Sequence, residues 1–182
     1  MKIAIGISGS SGSIYAKLLM DKLITFPGLQ LAMVISENAR KNIVNELTDF
    51  IPESYGVKIY TSKDFNAPFA SGSAQWDALV VCPCSAGFMC KVSSGLADDL
   101  MSRSAQVMLK ERKKLILVFR ETPLSLIHID AMRTITLAGG IICPAIPSFY
   151  SGDKDLYSIL STVTNRVIDL LGIKNESFRW GN

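Results

Sequence analysis

An apolar run carrying Ile3, Ile5 and Ile7 stops at the corner Ser8-Gly9-Ser10-Ser11-Gly12-Ser13, after which Ile14, Leu18, Leu19 and Leu23 recur at helical spacing. That succession predicts a buried strand, a tight loop and the start of an amphipathic helix. Glycines let the backbone approach a ligand closely, and the first turn of a helix offers free N–H groups and a positive dipole end. The corner is therefore a candidate phosphate cradle. Its glycines, at 6, 9 and 12, fit neither the pattern G-x-G-x-x-G nor the Walker A loop, which needs a Lys after its last glycine. The hydroxyls of Ser8, Ser10, Ser11 and Ser13 point to side chains that help hold a terminal phosphate monoester such as that of FMN. An ordinary βα turn capped by a serine would look the same in this stretch alone.

The strand-then-corner pattern recurs. Leu29 to Ile35 reads as a second buried strand ending at Ser36, followed by a helix carrying Ala39, Ile43 and Val44. Glu46, about three turns on, reads from the residues alone as a solvated helix-end carboxylate. Residues 50 to 76 are the least regular, with a short strand candidate at Val57 to Tyr60 and a small-residue run from Ala70 to Ala74 able to cover a ligand. Ala78 to Cys82 is an apolar strand expected to break at Pro83-Cys84-Ser85-Ala86-Gly87, a second small-residue corner. A helix is expected from Leu96 to about Lys113, with Asp98 and Asp99 in its first turn and Arg103 and Lys110 on one face. Leu115 to Phe119 forms a strand ending in Arg120-Glu121-Thr122-Pro123. A helix from Ser125 to about Leu137, a strand at Ile141 to Cys143, a stiff loop to Tyr150 and a helix from Asp155 to Leu171 complete the series. Arg166 lies at the edge of that last apolar stripe, and Trp180 in the tail reads as a contact residue. Strands alternate with helices and lack polar alternation, which predicts one α/β domain over residues 1–182 with a parallel sheet buried on both faces.

Composition narrows the function. A net charge of +3 with no clustered basic arm argues against nucleic acid and anionic membranes as partners. No apolar stretch reaches the roughly 18 residues of a membrane span, yet 48% hydrophobic content predicts apolar surface between subunits of a homo-oligomer. The N-terminus enters a strand without a signal-peptide pattern, so a cytoplasmic location is expected. Cys82, Cys84, Cys90 and Cys143 lie in apolar segments, and with His128 as the single histidine they form neither a zinc set nor a disulfide framework. His128, within an apolar helix pattern, reads as packed or at an interface.

Ligands of open parallel sheets bind outside the carboxyl ends of the strands. This chain places Gly9-Ser10-Ser11, Ser36, Ser85-Ala86-Gly87, Arg120-Glu121 and Tyr150 there, which reads as a phosphate-rich small-molecule site run without metal. In combination, Gly6 to Gly12, Ser71-Gly72-Ser73, Cys82-Pro83-Cys84-Ser85, Leu109-Lys110-Glu111-Arg112, Arg120-Glu121-Thr122-Pro123-Leu124, Pro147-Ser148-Phe149-Tyr150 and Asn165-Arg166-Val167 resemble the UbiX flavin prenyltransferases, with motifs in family order from Lys2 to Trp180.

The resemblance implies a Rossmann/flavodoxin-like three-layer sandwich, assembled as a homododecamer, that joins the dimethylallyl group of dimethylallyl phosphate to reduced FMN. The product, prenylated FMN, would pass to UbiD-type decarboxylases. By the same resemblance, Gly9, Ser10, Ser11, Ser36, Ser85, Ala86, Gly87, Phe88 and Arg103 form the FMN site. Lys110, Arg120, Tyr150 and Arg166 clamp the prenyl phosphate, drawing on neighbouring subunits, with Trp180 near the prenyl chain. Ser11, Glu46 and Glu121 match the catalytic positions, and no metal is implied. Phe88 departs from the family pattern, which often has Thr there, as does Glu46-Leu47-Thr48, often Glu-Thr-Asp. Two rival readings are an FMN carrier that serves a decarboxylase without altering the flavin, and a flavin-dependent cysteine decarboxylase. The latter class uses an early histidine that this chain lacks.

Overall fold

Residues 1–181 are described by the computed structural model. The apolar runs form β1 (Lys2–Ile7), β2 (Gln30–Ile35), β3 (Lys58–Tyr60), β4 (Ala78–Cys84), β5 (Lys114–Phe119) and β6 (Ile141–Ile142). The helices are α1 (Ser13–Leu23), α2 (Glu37–Glu46), α3 (Ala86–Ser93), α4 (Leu100–Lys110), α5 (Leu126–Leu137) and α6 (Leu156–Leu171). All strands pair in parallel in the order β3-β2-β1-β4-β5-β6, the doubly wound arrangement. Alternate residues of each strand feed opposite faces. Ile3, Ile5 and Ile7 pack with Val80, Ile116 and Val118 under α1, α2 and α6, whereas Ala4, Leu79, Val81, Leu115 and Leu117 pack under α3, α4 and α5. The three-layer α/β sandwich expected from the sequence is what forms.

Several local expectations are corrected. β4 runs through Pro83 to Cys84, because its register against β5 shifts between Val81 and Cys84 and the proline falls within the irregularity. α3 was not anticipated: eight residues opening on a small-residue corner are too few to show a helical period. The helix expected from Leu96 begins at Leu100. Lys91 Nζ holds both Asp98 and Asp99 at 2.8 Å, and Asp99 Oδ1 accepts from Ser102 N–H at 2.8 Å as the N-cap of α4. His128 is half-buried, and its Nδ1 accepts from Ser125 N–H at 3.3 Å, closing a capping box on α5 that the sequence reading did not foresee. On α5 only Ala131 and Ile135 are buried, while Leu126, Ile127, Ile129 and Leu137 are exposed.

The irregular segment between β3 and β4 is tied down by aromatic packing. Phe69 is fully buried, edge-on to Tyr60 at 5.2 Å and to Trp76 at 5.1 Å. Leu100 N–H bonds to Ser62 O at 2.8 Å and adds a backbone tie to α4. Phe69→Ala leaves a cavity in this cluster and is expected to cost about 3–5 kcal/mol in urea unfolding, against about 1 kcal/mol for loss of the α4 cap in Asp99→Ala.

Candidate active site at the sheet switch point

The chain winds outward in opposite directions from β1 and β4, so a crevice opens at the carboxyl ends of these two strands. Two corners meet there through one side chain. Ser8 Oγ donates to Pro83 O at 3.0 Å and accepts from Ser85 N–H at 2.7 Å, while Ser8 N–H donates to the same carbonyl at 3.2 Å. Ser10 Oγ donates to Arg120 O at 2.8 Å, and Arg120 N–H bonds to Cys84 O at 3.1 Å. The loops after β1, β4 and β5 thus form one hydrogen-bonded unit. Ser8 and Ser10 are buried as ties within it, and Ser11 stands exposed at its tip.

The crevice suits a phosphorylated planar group. A Cβ on Gly9 would lie 2.7 Å from Asn38 Cβ, so only glycine lets this loop pass so close to α2. Ser36 caps α2 by accepting from Ala39 N–H at 3.1 Å, and Ser85 caps α3 by accepting from Phe88 N–H at 3.3 Å. Ala86 and Gly87 form the first turn of α3, and nothing lies within 4 Å of where a Gly87 Cβ would stand. Two capped helix starts and an exposed glycine tip therefore converge with open space above α3. The Phe88 side chain is buried in the core beside Met89 and Val92.

The N-terminus of α1 is used differently from the phosphate cradle expected there. Its anion is internal: Glu46 Oε2 accepts from Ser13 N–H at 2.7 Å and from Gly12 N–H at 2.9 Å. Glu46 is thus no mere solvated helix end. Burial works against its charge, yet the N–H of Ser13, the hydroxyl of Ser11 and the N–H of Gly12 outweigh it and hold the carboxyl below its ordinary pKa. Glu121 lies just past β5, exposed, with Oε1 accepting from Thr122 N–H at 3.0 Å. Arg120 is half-buried, and its charge partly offsets the burial that raises the pKa of the Tyr15 phenol.

A second cleft, of about 560 Å³, lies past the carboxyl end of β6 against α6 and brings together Cys143, Tyr150, Arg166, Arg179 and Trp180. Tyr150 and Trp180 meet edge to face at 4.8 Å. Lys110 is not among these neighbours: it ends α4 just before β5 begins, at the amino edge of the sheet, where it pairs with Glu111. Arg103, also exposed on α4, donates from Nε to Ala70 O at 3.1 Å. Sequence reasoning passed over Asp169 and Arg179, which organise the second cleft, although Asp169 stands three residues after Arg166 on α6 and Arg179 directly precedes Trp180.

The flavoprotein family model matches residues 1–153. Over the whole chain the sequence is 40% identical to the flavin prenyltransferase UbiX of Methanocaldococcus jannaschii, covering 99% of that protein. The dodecameric FMN-dependent UbiX-like decarboxylase of Escherichia coli superposes with a TM-score of 0.95 at 31% identity, covering all of both chains. The structure of AnUbiX in complex with FMN and dimethylallyl pyrophosphate superposes with a TM-score of 0.90 at 33% identity, covering 98% of each chain.

The internal anion at α1 predicts a pH signature. Glu46 has its pKa lowered by folding, so its contribution is present above the unfolded-state value and is lost as pH falls through the folded one. Glu46→Gln should lower stability by about 1 kcal/mol at neutral pH. Thermal melts across pH should show that gap closing below the ordinary glutamate value of about 4.3.

Proposed function

This chain belongs to the UbiX-type flavin prenyltransferases, within the flavoprotein family, and we propose that it joins the dimethylallyl group of dimethylallyl phosphate to N5 and C6 of reduced FMN. The observation that carries this reading is the second cleft, where Tyr150, Arg166 and Trp180 combine a phenol, a guanidinium and an aromatic wall. Gly9, Ser10, Ser11, Ser36 and the start of α3 from Ser85 to Phe88 would hold FMN, with Arg103 toward the same ligand. When bound, reduced FMN supplies the nucleophilic N5 and C6.

The chain's own residues then have three tasks. An allylic phosphate departs readily when its developing charge is stabilised, which is the part assigned to Arg166, Tyr150, Arg120 and Lys110. Trp180 and the apolar lining exclude water that would otherwise capture the allyl group. Glu121, beside the Ser11 loop, carries a proton to or from the departing phosphate, with Ser11 and Glu46 completing the catalytic set. Glu46, held ionised by α1, serves as a fixed negative charge in that set.

Residues 1–182 act as a single flavoprotein unit in this reading, working in the cytoplasm and handing prenylated FMN to a UbiD-type decarboxylase. Among the described residues no helix is long and apolar enough to cross a membrane. The dodecameric relative and the exposed apolar side of α5 support a homo-oligomer of the same kind. The separation of Lys110 from Tyr150 and Arg166 within one chain supports a clamp completed by a neighbouring subunit.

Anaerobic incubation with reduced FMN and dimethylallyl phosphate should yield a flavin heavier by one five-carbon unit by mass spectrometry, and Glu121→Gln should abolish it. Unchanged FMN from protein that binds it would favour the carrier reading. Lys110→Ala and Tyr150→Phe should each be nearly inactive alone, while mixed subunits of the two, dissociated and reassembled together, should regain activity. Absence of recovery would place the whole clamp within one chain.

A further inference from the structure

Asp169 lies one helical turn after Arg166 on α6, a spacing at which the two side chains ordinarily pair. They do not pair closely here: Arg166 Nη1 stands 4.0 Å from Asp169 Oδ2. The carboxylate is held instead from the tail. Arg179 bonds both its oxygens, Nη1 to Oδ2 and Nη2 to Oδ1 at 2.8 Å, and Asn175 Nδ2 donates to Oδ1 at 2.8 Å. This two-pronged arrangement is the geometry in which a guanidinium grips a carboxylate most firmly. Asp169 is 17% exposed whereas Arg166 is 66% exposed, so the aspartate is held inside the cleft wall and Arg166 remains open to solvent.

The charges in this corner explain why that matters. Arg166, Asp169 and Arg179 together carry one net positive charge, and all three line the cleft with Tyr150 and Trp180. Without the Arg179 guanidinium, Asp169 would draw Arg166 toward itself and present an unneutralised carboxylate to an incoming phosphate. We propose that Arg179 is a positioning residue that occupies Asp169 and thereby leaves Arg166 free to take the phosphate of the prenyl donor. The same bond anchors the tail one residue before Trp180, whose ring packs on Tyr150. The proposal deepens the prenyltransferase reading and rests on it for the identity of the donor, while the cleft's preference for phosphate can be measured separately.

The test uses the full-length protein loaded with FMN, as wild type, Arg179→Gln, Asp169→Asn and the double variant. Each is titrated calorimetrically with inorganic phosphate and assayed for turnover against dimethylallyl phosphate. Arg179→Gln should raise the KM for the donor and the Kd for phosphate about tenfold while changing kcat and FMN affinity much less. Asp169→Asn alone should bind phosphate at least as well as wild type. Adding Asp169→Asn to Arg179→Gln should restore most of the lost phosphate affinity, because the competing carboxylate is gone. A purely structural tail anchor predicts no such rescue, so a double variant as weak as Arg179→Gln overturns the proposal. Unchanged phosphate affinity in Arg179→Gln also overturns it. If the phosphate titrations behave as expected while the wild type leaves the flavin unaltered, the prenyltransferase reading fails and the role of Arg179 stands. Intact FMN binding in every variant shows that each is folded.

Discussion

The Ser8 hydroxyl is the interaction on which the switch-point crevice depends. A parallel doubly wound sheet brings the carboxyl ends of β1 and β4 side by side, but says nothing about how the loops leaving them are held. Ser8, buried between them, donates to the Pro83 carbonyl of β4 and accepts from the N–H of Ser85, the N-cap of α3, so the first corner cannot shift without the second. Ser10 extends the tie to the backbone of Arg120 after β5. Buried polar groups are costly unless satisfied, and here their satisfaction is what makes three loops a single rigid rim. Of the residues assigned to flavin binding, Gly9, Ser10, Ser11 and the start of α3 stand on or directly beside that rim.

Helix N-termini supply the second constraint. α1, α2 and α3 all begin near the rim, and each start carries free N–H groups and a positive dipole end. The chain satisfies them unequally. α2 and α3 receive neutral serine caps, whereas α1 receives the carboxylate of Glu46. A fixed internal anion at α1 discourages a ligand phosphate there and favours the starts of α2 and α3. It also leaves Ser11 between a charged glutamate and open space, a setting suited to a hydroxyl that must be oriented toward a reacting group.

The groups assigned to the prenyl phosphate divide between two ends of the molecule. Tyr150, Arg166 and Trp180 gather at the carboxyl edge beside α6, and Lys110 sits at the amino edge at the end of α4. Within one chain these groups stand at opposite edges of the sheet. Exposed apolar residues on α5 and in the β6–α6 loop, including Leu126, Ile127, Ile146 and Phe149, leave surface for neighbouring copies to cover. On the proposed assignment, assembly and catalysis become one problem, since closing the interface would also complete the clamp.

Periodicity was enough to reveal the architecture. Uniformly apolar runs such as Ala78 to Cys82 can be buried only in a sheet covered on both faces, and the helical stripes between them supply the covering layers. The end of α6 was equally legible, because Gly172 adopts the left-handed conformation, φ 82°, that glycine accepts most easily. The chemistry at the strand ends was legible as a list of residue types, and their grouping was not. That Glu46 caps α1 depends on where α2 ends in space, 34 residues away in sequence from Gly12, and no local pattern encodes that distance. The pairing of Asp169 with Arg179 rather than with its helical neighbour Arg166 depends likewise on the path of the tail. Local spacing determines which face of an element a side chain occupies, while only tertiary packing decides which charges from different elements share a site.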